Sequence, residues 1–346
     1  MKKRFLLTSL ILIVVAVFVF TLGCGGTEES VEEPAEESAE ESAEESSEEV
    51  TEEAGVDFPE SGREILQLCP FGAGGGFDTT ARYFAQHLTE DLGVPVITEN
   101  RTGSGGIIPL LDMQKTEPDG YTLTFVARAT HPPQQALHGA DIRLEDLTYI
   151  AGVKEIPYVL CVSKDSDIET LDDLKNKDSV VLGTSGSGHI SEISAHQLAD
   201  TFGFELKKIP YDGLAAVGAA ILSGEVDMAF LSGTIIESHK DNLRLLAIFT
   251  EERSDYFDVP TIGELGYDLF LPVETMGYVG PPGMDDEVVE ILRSALENVV
   301  NKEETQEWAA SLKEIVKYIP PEEVKASNLE VIEICTEYKD LLMGSE

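Results

Sequence analysis

The sequence predicts a two-lobed α/β protein, on three observations. Strand-like runs alternate with glycine loops and helix-like runs, the pattern of a mostly parallel sheet with helices on its faces. The series runs once and then restarts near Ile156. The 286 residues after Glu60 exceed what one hydrophobic core usually organises.

Taken in order, REILQLCPF reads as a strand, Gly72 to Gly76 as a loop, and DTTARYFAQHLTEDLG as a helix with Ala81, Phe84, Ala85 and Leu88 on one face. VPVITEN is a second strand, RTGSGG a second glycine loop, IIPLLDMQK a helix, and YTLTFVA a third strand after a Pro-Asp-Gly turn. In the second series IPYVLCVS is a strand, IETLDDLKN a short helix and SVVLGTS a strand. SGSGHISEISAHQLADTFG follows as loop and helix, ELKKIPY as a strand, GLAAVGAAILSGE as a helix, and VDMAFLS and LRLLAIFT as strands. Two long amphipathic helices, Asp285 to Leu312 and Pro320 to Met343, follow the breaks at Pro281-Pro282-Gly283 and Pro320-Pro321 and return over one lobe.

The N-terminal segment carries the expectation of where the chain works. Lys2, Lys3 and Arg4 precede an uncharged apolar run from Phe5 to Leu22 that ends at Gly23-Cys24, which reads as an export signal. The segment resembles a bacterial lipoprotein signal, with Cys24 as the lipidated residue; an uncleaved membrane helix is the alternative. Between Thr27 and Glu60 stand 16 acidic residues and no basic one, a self-repelling tether that cannot bury a core. The expected divisions are 1–23 for the signal, 24–60 for the tether, 61–160 with 250–346 for the first lobe, and 161–249 for the second, with the C-terminal helices packing on the first lobe. Both readings place the lobes outside the cytoplasm and tethered to the membrane.

A net charge of −41 makes nucleic acid and anionic lipid surfaces poor partners. Cys69, Cys161 and Cys335 form no CxxC pair and no cluster with histidine, so a metal site and a redox dithiol lack support, and the thiols read as buried and free. No cofactor is expected.

The stretch CPFGAGGGFDTTAR has three candidate chemistries. A dinucleotide turn would use Glu99 at the end of the second strand, yet the glycine spacing fails, its third position falling on Phe77 or on Thr79. A serine hydrolase would use Ser187 and His189, but a nucleophile elbow needs glycine where Ser187 stands. His131, His138 and His239 are isolated and read as surface residues. The third chemistry needs backbone alone: Gly74 to Asp78 and Ser185 to Gly188 each precede a helix, where exposed amides and the helix dipole attract an anion and glycine lets it approach. If both loops lie at the carboxyl ends of their sheets they face one cleft, and a small carboxylate is the expected ligand.

The motifs then resemble a known family. Pro70-Phe71 with Gly74-Gly75 and Asp78, Glu99-Asn100-Arg101 with Gly103-Ser104-Gly105-Gly106, and Pro118-Asp119-Gly120-Tyr121-Thr122-Leu123 occur in the order seen in substrate-binding proteins of the tripartite tricarboxylate transporter family, also called the TctC or Bug family. So do Pro210-Tyr211-x-Gly213, Ser223-Gly224-Glu225-Val226-Asp227, Val259-Pro260-Thr261 with Glu264-Leu265-Gly266, and Gly280-Pro281-Pro282-Gly283. Thr102, Leu214 and Gly72-Ala73 depart from the pattern beside the pocket.

The resemblance implies a type II periplasmic-binding-protein fold, two lobes joined by crossover strands over one ligand, and a monomer that passes its ligand to an ion-gradient-driven permease without catalysis. It places ligand contacts at Phe71, Gly72, Ala73, Gly74, Gly75, Gly76 and Asp78, at Ser104 and Gly105, and in the loop holding Ala127, Arg128 and Thr130. Across the cleft it adds Ser185, Gly186, Ser187, Gly188, His189, Tyr211 and Gly213. Asp78 has a second reading as a helix cap, Tyr211 as a packing residue, and Arg128 either meets a second carboxylate or is solvated. The alternatives in function are an exported hydrolase or the ligand-sensing partner of a membrane signalling protein.

Overall fold

The computed structural model describes residues 56–211 and 213–343; the export signal, Cys24 and residues 24–55 of the tether lie outside them. The first lobe begins with three parallel strands joined by helices: β1 (Ile65–Cys69), α1 (Gly76–Leu92), β2 (Val96–Asn100), α2 (Ile107–Met113) and β3 (Thr122–Ala127). A short helix α3 (His131–His138) and the long strand β4 (Thr148–Ile156) follow. The chain then crosses to the second lobe: β5 (Val159–Ser163), β6 (Ser179–Ser185), α4 (Ser191–Phe202), β7 (Glu205–Tyr211), α5 (Leu214–Ser223), β8 (Met228–Leu231), α6 (Gly233–His239) and β9 (Leu243–Ile248). It returns through β10 (Glu274–Gly280), α7 (Asp286–Asn301), α8 (Glu303–Leu312), β11 (Ile315–Ile319), α9 (Pro321–Glu337) and α10 (Lys339–Met343).

Strand order is β11-β4-β10-β3-β1-β2 in the first sheet and β7-β6-β8-β5-β9 in the second. Each sheet has a parallel block in which the first strand lies between the second and third, β2-β1-β3 and β7-β6-β8, flanked by antiparallel strands. The loops leaving β1 and β6 are therefore equivalent: each leaves the carboxyl end of the first strand of a βαβαβ unit, where α/β sheets place their ligands. Both faces of each sheet are covered. In the first lobe α1, α7 and α8 close over one face, with Phe84, Phe125, Tyr278 and Leu292 at the centre, and α2 and α9 cover the other. Cys69, Cys161 and Cys335 are buried and free, as their apolar settings imply.

Several elements depart from expectation. The C-terminal run after Asp285 is two helices broken at Lys302, which takes an extended φ/ψ of −63°/135°. Strands β4, β10 and β11 were not distinguished in the sequence; every residue of β10 is buried, so it lacks the polar alternation that marks a half-exposed strand. The lobe boundary differs too. Phe257, Val259 and Ile262 are buried in the cores of the second sheet, and Leu269 and Leu271 pack against one of them, so the return crossover lies at Leu271–Glu274 rather than near residue 250. It runs beside the outward crossover, since Glu274 pairs with Ile156.

Candidate functional site

Between β1 and α1, residues Gly72 to Gly76 form an exposed loop whose shape is set from below. Asp78 is buried; its Oδ2 accepts the Gly74 amide at 2.8 Å, its Oδ1 accepts Asn100 Nδ2 at 2.7 Å, and Arg82 pairs with it at 3.0 Å. Asn100 Nδ2 also donates to Phe71 O at 2.9 Å. Burial pushes the Asp78 carboxyl up, but the bonds from Gly74, Arg82 and Asn100 outweigh it and hold the group below its usual range. Asp78 thus organises the loop from beneath, with its oxygens turned to protein donors. The Gly74 amide is taken, while α1's first turn leaves Gly76 and Phe77 N–H without intrahelical partners.

Helix α3 is the seam of the site, and the sequence reading missed it. HPPQQALH lacks an apolar stripe of any length, and Pro132 and Pro133 would break a helix interior, yet proline is tolerated in a first turn, where the missing N–H would have no intrahelical acceptor. At its start, the His131 ring lies 5.9 Å from that of Phe71, nearly parallel, and Phe71 also meets Phe77 at 4.6 Å. Residues Gly103 to Gly106 all have positive φ, which glycine accommodates and Ser104 (48°) seldom does. That backbone folds the loop under α3: a Cβ on Gly105 would stand 2.9 Å from Gln134 Nε2, and one on Gly106 would stand 2.7 Å from His131 Nε2. At the far end of α3, a Cβ on Gly188 would meet Leu137 Cδ1 at 2.8 Å. One helix about 12 Å long therefore carries both loops of the first lobe at one end and touches the second lobe's turn at the other.

His131 is not the surface residue expected. It is fully buried, its Nδ1 accepts the Ala127 amide at 2.9 Å, and its Nε2 has no partner. Burial lowers its pKa to about 3, so the ring is neutral and Nε2 carries the proton.

The second lobe's turn is also held from below. Gly188 N donates to Glu192 Oε1 at 3.0 Å, and Glu192 Oε2 takes Lys208 Nζ at 2.8 Å. His189 is buried with Nδ1 2.9 Å from Ser191 Oγ and Nε2 3.4 Å from Tyr158 Oη. Both ring nitrogens face partners other than Ser187, and burial lowers the ring's pKa to about 4, an arrangement unlike the base of a hydrolase. Ser187 is exposed, Ser185 and Gly186 half-buried, and Ser185 is in register with Tyr211 on the neighbouring strand. Gly213 opens α5 beside them with φ of 94°. Tyr211 packs against the second lobe's core, and its buried hydroxyl has no hydrogen-bond partner.

The loop after β3 has its backbone donors engaged within the protein. Its amides are occupied: Ala127 by His131, Arg128 by Thr275 O, Ala129 by Glu274 Oε1 and Thr130 by Ala127 O. Ala127 and Arg128 are buried, leaving Thr130, half-buried, as the residue that can present a side chain. Arg128 is neither solvated nor placed with the glycine loops. Its Nη1 donates to Val273 O at 2.9 Å and Leu271 O at 3.3 Å and its Nη2 reaches Glu330 at 3.5 Å, so it fastens the return crossover. The reason is topological: β3 abuts β10, and the residue after its end meets the incoming crossover strand.

Under the first loop lies a buried cation, Lys154, that no sequence motif marks. Lys154 on β4 donates to Thr80 Oγ1 at 2.8 Å, and Thr80 Oγ1 donates to Gly76 O at 2.9 Å. Glu314 pairs with Lys154 and accepts Thr234 Oγ1 of the second lobe at 2.9 Å. A cavity of about 980 Å³ opens elsewhere, by the β4–β11 edge and the crossovers, bordered by Arg128, Glu155, Glu251, Phe270 and Glu330 and by none of the glycine-loop residues. Among the described residues no group of three or more histidines, cysteines or acids is placed to hold a metal, and no helix is long and apolar enough to cross a membrane.

Comparisons with known proteins bear on the fold and the family. Residues 80–316 match the model of the tripartite tricarboxylate transporter family receptor. A protein of Cupriavidus necator described as a UPF0065 protein in the gbd 5' region is 32% identical over 253 residues, 70% of this chain and 76% of its own. A solved TctC solute binding protein from Polaromonas superposes with a TM-score of 0.70 at 23% identity, covering 82% of this chain and 100% of that one. MatC from Rhodopseudomonas palustris, solved with bound malate, superposes with a TM-score of 0.65 at 23% identity over 81% of this chain and 99% of its own. The fold is that of these periplasmic binding proteins, and the chain belongs to the tripartite tricarboxylate transporter family of receptors.

Proposed function

We propose that the protein is an extracytoplasmic receptor, lipid-anchored through Cys24, that holds a small organic carboxylate between its lobes and passes it to an ion-gradient-driven permease without chemical change. The observation that supports this most directly is α3, which sets the Phe71–Gly76 loop, the Ser104–Gly106 loop and the Gly188 turn against one short helix. The donors left for an anion are small and mostly neutral: the amides at the start of α1 and the hydroxyls of Ser104, Thr130, Ser185 and Ser187. The bound malate of MatC favours a diacid, with one carboxylate at each end of the seam.

The test is thermal unfolding of residues 54–346 against a panel of di- and tricarboxylates, aromatic acids and acidic amino acids. A ligand at 100 times its dissociation constant adds about 2.7 kcal/mol of stability. A diacid should give the largest shift; a panel without any shift sinks the reading.

A further inference from the structure

The C-terminal helix α10 is five residues long, too short to persist without tertiary support. It lies between the lobes. Leu342 is buried in an apolar cluster that takes Ala129 and Leu137 from the first lobe, Ile190 and Ile193 from the second, and Val331 and Cys335 from α9. Its terminal carbonyls, which no helix can satisfy internally, are taken by the second lobe: Lys208 Nζ donates to Leu341 O at 2.9 Å and to Leu342 O at 3.0 Å. The same ammonium donates to Glu192 Oε2, and Glu192 Oε1 holds the Gly188 amide.

We propose that α10 is a clasp across the two lobes, and that Lys208 and Glu192 are positioning residues joining it to the Gly188 turn. The role in binding rests on the reading of that turn as half of the ligand site. Two physical effects follow from the chain of contacts. Ile190 and Ile193 begin α4 directly behind the turn, so the apolar cluster fixes where the turn stands relative to α3. Lys208 also neutralises a carboxylate whose side chain is 2% exposed and whose other oxygen touches the turn. Without that ammonium, Glu192 would present an unpaired negative charge beside the place where an anion is to bind.

The experiment measures lobe spacing in the ligand-free full chain, with nitroxide labels at Lys115→Cys on the first lobe and Lys175→Cys on the second, in three settings: otherwise unchanged, lacking residues 339–346, and carrying Lys208→Met. The clasp predicts a wider or broader distance distribution in the last two, with circular dichroism unchanged. A malate titration, well below the melting temperature, gives the second reading: Lys208→Met weakens binding at least tenfold, Lys208→Met with Glu192→Gln recovers most of it, and Lys208→Arg retains it. A merely structural role would lower the melting temperature without this pattern of rescue. Folded variants with unchanged spacing overturn the clasp. Malate bound equally by the parent and Lys208→Met overturns the positioning role while leaving the receptor reading intact. If the parent binds no acid, the receptor reading falls, and the spacing alone still decides the clasp.

Discussion

Asn100 Nδ2 lies 2.7 Å from Asp78 Oδ1, and that bond ties the end of β2 to the first turn of α1. Because the same amide group also holds Phe71 O, one side chain fixes both ends of the exposed loop between them. The loop's amides are thereby preorganised, which lowers the ordering cost of binding.

Replacing Asp78 with alanine removes the acceptor of Gly74 N–H, Arg82 and Asn100 together. The expected loss of stability is about 1.5–3 kcal/mol, the range for losing hydrogen bonds to a charged group. Acid binding should weaken beyond what that loss explains, since the loop becomes mobile. Asp78→Asn, which keeps one acceptor, should fall between. The Asp78 carboxyl is held below its ordinary value, so its contribution is present above the unfolded pKa and is lost as pH falls through the folded one. Calorimetry and denaturant melts from pH 7 to pH 3 would check both; wild-type affinity in Asp78→Ala would refute the loop's role.

Gly188→Ala tests the seam. The residue has φ of 76°, and its Cβ would stand 2.8 Å from Leu137 Cδ1, so the substitution adds backbone strain and pushes the turn away from α3. Gly203→Ala is the control: its φ is 84°, but a Cβ there meets nothing within 4 Å. Each should lose about 1–2 kcal/mol from the left-handed backbone, while ligand affinity should fall at least tenfold in Gly188→Ala alone. Equal affinities in the two variants would mean that the α3 contact does not shape the site.

Much of this was legible beforehand, for reasons that differ residue by residue. The β1 and β6 loops announce themselves because glycines before a helix have few other uses, and Ala81, Phe84 and Leu88 give α1 its period. Asn100 stood inside a quoted motif, but its role depends on Asp78, 22 residues away, which only parallel pairing of β1 with β2 brings near. Helix α3 was hidden by Pro132 and Pro133, and α10 by continuity with α9. The placement of Arg128 depended on β10, whose uniformly buried run carries no alternation to read. Lys154 and Glu314 are 160 residues apart and look like surface charges until the sheet joins β11 to β4.

That pair gives a sharp stability prediction. Lys154 and Glu314 are 2% and 5% exposed, so removing one partner leaves a buried charge. Lys154→Met should cost about 3–5 kcal/mol, whereas Lys154→Met with Glu314→Gln should recover most of it, because a buried pair is worth less than the penalty for breaking it. Glu314→Gln retains an acceptor for Thr234, so the interlobe contact survives in the double variant. A double variant no more stable than Lys154→Met alone would show that the pair's hydrogen bonds, and not its charge balance, are what the fold requires.

Glu274 ends the return crossover at the start of β10 and is buried, with Oε1 accepting the Ala129 amide at 3.0 Å and Arg128 nearby. Burial raises its pKa to about 7, and the Ala129 amide and Arg128 offset this in part. A raised carboxylate favours folding in its protonated form. Its contribution is fully present below the unfolded value near 4.5 and is lost as pH rises to about 7, above which the penalty stays constant. The span corresponds to at most about 3 kcal/mol. Glu274→Gln keeps an acceptor for Ala129 and carries no charge, so it should match the parent near pH 4.5 and exceed it in stability at pH 8. The difference should grow between pH 4.5 and about 7 and level off above that, which denaturant melts at half-unit intervals would trace. A constant offset across the range would mean that Glu274 stays ionised beside Arg128, and that the guanidinium outweighs burial at the crossover.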